Sequence, residues 1–199
     1  MEAEGIAVEQ LGPEAESEAE EIRHLLNGEL GEPLYAAEAV VDAAGDETAI
    51  VMFVRQDGKV AAAGIARVLL AEDEAYYWPF GGAAQILFRD HTVGSLEALA
   101  VRSGNRRRGF GARLVTARVD WLGEHGCDRV VALSWLSGRP GTSAPLYRRL
   151  GFREGATVAD FYFEESRRDG WLCPVCGTPC HCAAQLFWLE LPRERPTPG

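Results

Sequence analysis

The apolar positions along the chain switch between helical and strand spacing several times. Residues 14–27 are mostly strong helix formers, with Ile22, Leu25 and Leu26 on one face and Gly28 following as a stop. A weakly alternating stretch at 6–11 predicts a first strand, and 35–42 predicts a second helix. The runs 49–55 and 60–71 read as strands, and Gln56-Asp57-Gly58 between them signals a hairpin. An acidic turn and the aromatic cluster Tyr76, Tyr77, Trp78 and Phe80 occupy 72–92. These aromatics either close a hairpin or wall a pocket. Residues 94–101 return to strand spacing.

The clearest helix starts at Phe110. One stripe runs Phe110, Leu114, Ala117, Trp121 and a second Val115, Val119, Leu122, leaving Arg113, Thr116, Asp120 and Glu124 outside. Gly126 ends it, and 128–135 reads as a strand buried on both faces. Ser143 is placed to cap a short helix that has Pro145 in its first turn and Gly151 as its stop. Strand character resumes from Phe152 to Glu164, and 183–191 forms a last strand after a cysteine-rich segment. The Pro-rich 192–199 reads as a disordered tail. The element order predicts one mixed α/β domain over the whole chain, with its core at about 5–191.

Between the strand 94–101 and the helix at Phe110 lies a basic turn. Gly109 and Gly111 let a ligand approach the backbone, and the first N–H groups of the helix point outward at the positive end of its dipole. Arg106, Arg107, Arg108 and Arg113 add positive charge, so the turn suits a pyrophosphate. Other phosphate motifs are excluded: the chain has no G-x-x-x-x-G-K-[ST] and no G-x-G-x-x-G.

Leu99-Ala100-Val101 followed by Arg106-x-x-Gly109-x-Gly111, together with Leu146-Tyr147-x-x-x-Gly151-Phe152, resembles the GNAT superfamily of N-acetyltransferases. The resemblance is sharp over 96–152. Ser103 stands where the family often has Pro, Arg107 where it often has Gly, and Pro140 where many members have Asn. It implies a mixed, mostly antiparallel sheet of six to seven strands flanked by about four helices. It also implies acetyl transfer from acetyl-CoA to a primary amine by direct attack in a ternary complex. The cofactor would lie against Leu99, Ala100 and Val101, whose backbone N–H groups steady the thioester oxygen, and against Arg106 to Arg113, with Phe110 and Ala112 in that turn. Tyr147 is the candidate general acid for the departing thiolate, because a phenol with a pKa near 10 is protonated at neutral pH. Glu97, with the strand parity of Leu99 and Val101, is the candidate base for the amine proton. The plain alternative for each is a packing role for Tyr147 and an Arg-paired surface carboxylate for Glu97. The alternative function is a GNAT-fold protein that binds acetyl-CoA, regulates, and transfers little or nothing.

Charge adds one feature. Residues 1–50 hold 14 acids against Arg23 alone, a balance of -13, while the rest of the chain is +3 and the whole is -10. This is either a solvated face or an arm that attracts cationic amines. Its sign argues against a nucleic-acid partner. No apolar run of about 18 residues spans a membrane and no secretory signal is visible, so a cytoplasmic protein is expected, with a homodimer permitted.

Four of the five cysteines fall in ten residues: Cys173, Cys176, Cys180 and Cys182. C-x2-C followed by C-x-C suits tetrahedral Zn²⁺ in a structural role, with a knuckle-like turn at Cys-Pro-x-Cys-Gly. Disulfides, an iron–sulfur cluster and a redox pair are the rivals, and His181 is a substitute ligand. A zinc-dependent interaction module is a third reading of the chain. In the GNAT fold the segment between the last two strands commonly borders the acceptor, and here 165–182 looks too polar to order itself without the metal.

Overall fold

The computed structural model describes residues 7–36, 38–138 and 141–192. The expected tail, Pro140 and the start of the 6–11 strand lie outside them. Seven strands form one sheet: β1 (Glu9–Gln10), β2 (Ala49–Gln56), β3 (Lys59–Val68), β4 (Val93–Val101), β5 (Arg129–Leu136), β6 (Arg153–Val158) and β7 (Ala183–Glu190). Their spatial order is β1-β2-β3-β4-β5-β7-β6, and every pair is antiparallel except β4 with β5.

That parallel pair is short. Its register runs from Val93↔Arg129 only to Leu96↔Ala132. Beyond it, β4 stays with β3 and β5 turns away with β7, so the sheet opens at its middle. Helices α1 (Glu16–Leu30) and α2 (Ala39–Gly45) cover one face, where Ile22, Leu26 and Val40 pack on Phe53, Ile65 and Ala100. A 3-10 segment (Ala71–Phe80) and α3 (Gly82–Phe88) extend this layer over Val131 and Leu186. Helices α4 (Phe110–Glu124) and α5 (Ala144–Arg149) cover the opposite face, with Val115, Leu122 and Tyr147 on Val130, Ala132 and Phe187. Helix α6 (Phe163–Asp169) leads into the cysteine segment.

The strand count agrees with expectation, but six α-helices stand among the described residues where about four were expected. The two extra helices have local causes. Asp160 takes a left-handed φ of 51°, which turns the chain out of β6 before the expected end at Glu164. Glu164 and Glu165 then open α6 and Arg167 and Arg168 close it, each matching the dipole. Helix α3 follows the aromatic 3-10 segment directly and uses the good helix formers Ala84, Gln85 and Leu87. Helix α1 runs through Gly28, where a stop was expected. A helical Gly costs only about 1 kcal/mol, and Leu30 packs on the core beyond it. Ser143 starts α5 without capping it; its hydroxyl bonds Ser134 Oγ at 3.2 Å.

Candidate active site

Strand β4 ends at Val101, and the basic turn carries the chain into α4. Gly109 holds φ 87° at the helix entrance, a conformation that disfavours any residue with a Cβ. Arg107 also sits in the left-handed region, at φ 62°, which explains why glycine suits that position. The first rung of α4 is Arg113 N–H to Gly109 O at 3.1 Å, so the N–H groups of Phe110, Gly111 and Ala112 precede the ladder, and no side chain caps them. A Cβ on Gly111 would lie 3.4 Å from Leu146 and 3.6 Å from Val101, so this helix start abuts both β4 and α5. The arginines are not equivalent. Arg106 pairs with Glu29 of α1 and donates to Val101 O, and is drawn away from the helix start, while Arg108 lies over the Phe110 ring at 5.5 Å.

The sheet opening continues into a cavity of about 490 Å³. It brings together side chains from both layers: Tyr147 from the α5 side, Tyr35 and Tyr77 from the α1 side, and Glu97 and Leu99 from β4. Ala100 and Val101 lie further along β4, paired with Ala63 and Ala62, on the stretch whose other edge has lost β5. The two candidate catalytic residues therefore share one cavity.

Parity did not place Glu97. The register between β3 and β4 shifts from Ile65↔Ala98 to Arg67↔Ser95, which fits an extra β4 residue into the bulge. Leu96 and Leu99 consequently both pack with the α4 layer although three residues apart. Glu97 lies in that bulge, so strict alternation no longer ties it to Leu99 and Val101. Its carboxylate pairs with Arg67 at 3.2 Å, and Arg67 also reaches Asp46 at 2.7 Å. Burial in the cavity wall raises the Glu97 pKa above the ordinary carboxylate value, and the Arg67 charge offsets part of the rise. Tyr147 is raised by burial too, with Arg118 and a Ser143 hydrogen bond acting the other way. It stays protonated at neutral pH.

Arg118 was not singled out in the sequence, and it holds the bulge. It is fully buried on α4, and its guanidinium donates to Leu114 O, Ile65 O and Ala98 O. Ile65 and Ala98 flank the register shift, so one side chain satisfies carbonyls that the ladder leaves over. Gly64 makes room for it: a Cβ there would sit 2.6 Å from the guanidinium carbon. Burial lowers the Arg118 pKa to about 10, which leaves it charged. Charged hydrogen bonds of about 1.5–3 kcal/mol each are of the size needed to offset a desolvation cost of several kcal/mol. The signal in the sequence was its position: 110, 114, 118 and 122 form one i, i+4 row, and Arg118 interrupts three apolar residues.

The cysteine segment lies behind one wall of the cavity. The four Sγ atoms lie within 4.8 Å of one another: Cys176 stands 3.7 Å from both Cys180 and Cys182, and Cys173 stands 3.8 Å from Cys182. Sulfurs at about 2.3 Å from one tetrahedral ion stand about 3.8 Å apart, so the cluster has the dimensions of a Zn²⁺ site. They are too far apart for disulfides, whose sulfurs lie about 2.05 Å apart. Val175 N–H and His181 N–H point at Cys173 Sγ and Cys176 Sγ at 3.4 and 3.3 Å, as in a knuckle. The His181 imidazole turns to Asp160 at 2.9 Å and stays out of the cluster. Buried Ser166 of α6 accepts the Cys180 N–H at 2.7 Å, which anchors the turn.

Trp135, Tyr162, Trp171 and Leu34 pack against the cysteines and also line the cavity. Leu172 exchanges two backbone hydrogen bonds with Glu32, at 2.7 and 3.1 Å, which clasps the segment to the loop after α1. That loop carries Tyr35, whose backbone is held at both ends by the buried Asn27 amide, at 2.8 and 3.0 Å. Of the aromatic cluster, Tyr76 and Tyr77 wall the cavity, while Phe80 is buried in the core and Trp78 is exposed.

The profile of the acetyltransferase (GNAT) family matches residues 19–152, two thirds of the chain. The chain belongs to that family. The matched GNAT region ends at Phe152, so β6, the cysteine segment and β7 lie beyond it. No match was found among curated protein sequences. Among solved structures the GNAT chain is similar to Arabidopsis thaliana NAA60 in complex with acetyl-CoA, at 17% identity and TM-score 0.68, over 94% of this chain and 99% of that one. It is also similar to the Escherichia coli ribosomal-protein-S18-alanine N-acetyltransferase, at 17% identity and TM-score 0.61, over 97% and 99%. A third is the Drosophila melanogaster polyamine N-acetyltransferase, at 17% identity and TM-score 0.62, over 94% and 100%. At these identities the likeness is one of fold. No helix among the described residues is long and apolar enough to cross a membrane.

Proposed function

We propose that the protein transfers the acetyl group of acetyl-CoA to a primary amine by direct attack in a ternary complex. One observation carries this reading: Glu97 and Tyr147 line one cavity at the sheet opening, beside a helix start with uncapped N–H groups. The pyrophosphate lies on the N–H groups of Phe110, Gly111 and Ala112, with Arg107, Arg108 and Arg113 adding charge. The thioester lies along 99–101 on the open edge of β4, whose N–H groups steady the oxyanion. Glu97 takes the proton that the ammonium must lose, through a water. The amine nitrogen then bonds the carbonyl carbon, the C–S bond breaks, Tyr147 Oη gives its proton to the sulfur, and the second proton shed by the acylated nitrogen passes through water to the Tyr147 phenolate. The four cysteines hold a structural Zn²⁺, which has no open position and enters no step.

The test is an acetyl-CoA turnover screen across amine classes, with the product identified by mass spectrometry. Turnover is expected for at least one amine class. Tyr147→Phe is expected to lower kcat by roughly 10- to 1000-fold in single turnovers with an unchanged Kd for acetyl-CoA. Acetyl-CoA binding without turnover of any amine would favour the regulatory reading instead, and an unaltered kcat would return Tyr147 to packing.

A further inference from the structure

The charges around the cavity are one-sided. Three carboxylates line it, Asp73, Glu97 and Glu165, and among the described lining residues there is no Arg, Lys or His. The three differ in their partners. Asp73 is occupied by the Leu70 N–H at 2.7 Å and serves its own turn. Glu97 has Arg67. Glu165, on α6, makes no ion pair within 4 Å among the described residues; the Tyr76 hydroxyl bonds its carboxylate at 3.4 Å, and Arg168 acts on it only from further away. Its neighbour Arg168 is taken by Asp169, with two bonds of 2.7 Å. Burial raises the Glu165 pKa. Glu97 and Glu165 both line the cavity, as does the Tyr35 ring.

The surrounding wall is aromatic. Tyr76, Tyr162 and Trp171 line the cavity with Glu165, and aromatic faces attract cations more strongly where water is displaced. An anionic or zwitterionic acceptor would bring negative charge to a place with no cation to receive it. A monoamine would use Glu97 and leave Glu165 uncompensated in its aromatic surround.

We propose that the acceptor is a small aliphatic amine with a second cationic group, its reacting nitrogen near Glu97 and Tyr147 and its second charge on Glu165 between Tyr76, Tyr162 and Trp171. This rests on the reading of Glu97 and Tyr147 as the reacting end of the cavity. Atoms balance as in the transfer above; the second cation takes no part in bond making.

The experiment compares 1,4-diaminobutane with 1-aminobutane, equal in chain length, and with a short peptide bearing an N-terminal alanine. Binding is measured by calorimetry in saturating CoA, on wild type and on Glu165→Gln, and turnover is measured with acetyl-CoA. The diamine is expected to bind about 10- to 100-fold tighter than the monoamine, the worth of one charge-assisted contact, and Glu165→Gln is expected to erase that difference while leaving the monoamine unaffected. Equal binding of the two amines, no binding of the diamine, or a preference for the peptide overturns the proposal. Acetylation of monoamine or peptide with no diamine advantage overturns it and leaves acetyl transfer standing. Tight, Glu165-dependent diamine binding without turnover supports the second-cation site on Glu165 but overturns the diamine as an acetyl acceptor, and with it the transferase reading.

Discussion

Arg67 stands between Glu97 and Asp46, and its charge pulls against the burial that raises the Glu97 pKa. This gives a pH prediction with a definite sign. A base must be ionised, so kcat/KM should rise with pH through the Glu97 titration, at a midpoint above that of a free carboxylate. Arg67→Met removes the cation that pairs with Glu97 and should move that midpoint to higher pH, read from the pH–rate profile. An unmoved midpoint would assign the acidic limb to another group. Tyr147 and Glu97 could be singled out because their motifs mark them. Arg118 could not, because a charged residue in an apolar row reads as an interruption until the carbonyls of Ile65 and Ala98 are seen to need a donor.

At the scale of elements, the turn from β4 into α4 makes a phosphate site from backbone alone. Gly111 lies inside the first turn, with ordinary contact distances of 3.4–3.8 Å around its missing Cβ. Gly111→Ala should therefore fold and bind acetyl-CoA nearly as well as wild type. Gly111→Glu should fold equally and lose at least about 10-fold in affinity, because it sets a negative charge on a helix end that favours anions. Calorimetry measures the binding and circular dichroism the fold; equal affinity of the two variants would remove the pyrophosphate from this turn. The turn was legible beforehand because its glycines, arginines and apolar flanks are contiguous. The β4 bulge was not, since one extra residue in a strand leaves no trace in an alternation as weak as 94–101.

Across the whole molecule, the cysteine cluster reaches the cavity through two routes. Trp135, Tyr162 and Trp171 rest directly on the cysteines, and the Leu172–Glu32 clasp connects them to the loop of Tyr35. About one zinc per chain is expected by elemental analysis, lost in Cys173→Ser with Cys176→Ser. That double variant, if folded, should raise the acceptor KM far more than the acetyl-CoA KM, since the phosphate turn lies on the opposite layer. Equal loss for both substrates would make the metal a support of the entire domain, and a metal-free active wild type would deny the site zinc. The acidic first quarter also reads differently in three dimensions: Glu18 and Glu21 reach Arg55, Glu29 reaches Arg106 and Asp46 reaches Arg67, so these acids meet the basic remainder of the chain.

The sequence by itself determined what depends on neighbours in the chain. Helix α4 and its stripe, the hairpin of β2 and β3, the glycine turn, the Leu146 to Phe152 motif and the four clustered cysteines all arise from residues close in sequence, where spacing alone sets the geometry. Only the tertiary structure decided the parting of β4 from β5, the bulge that turns Glu97 into the cavity, the buried Arg118 beneath it and the meeting of Glu97, Tyr147 and Glu165 around one space. Glu97 and Glu165 are 68 positions apart in the chain. Their proximity follows from how the layers stack and which carbonyls and charges find partners, and no local pattern encodes that balance.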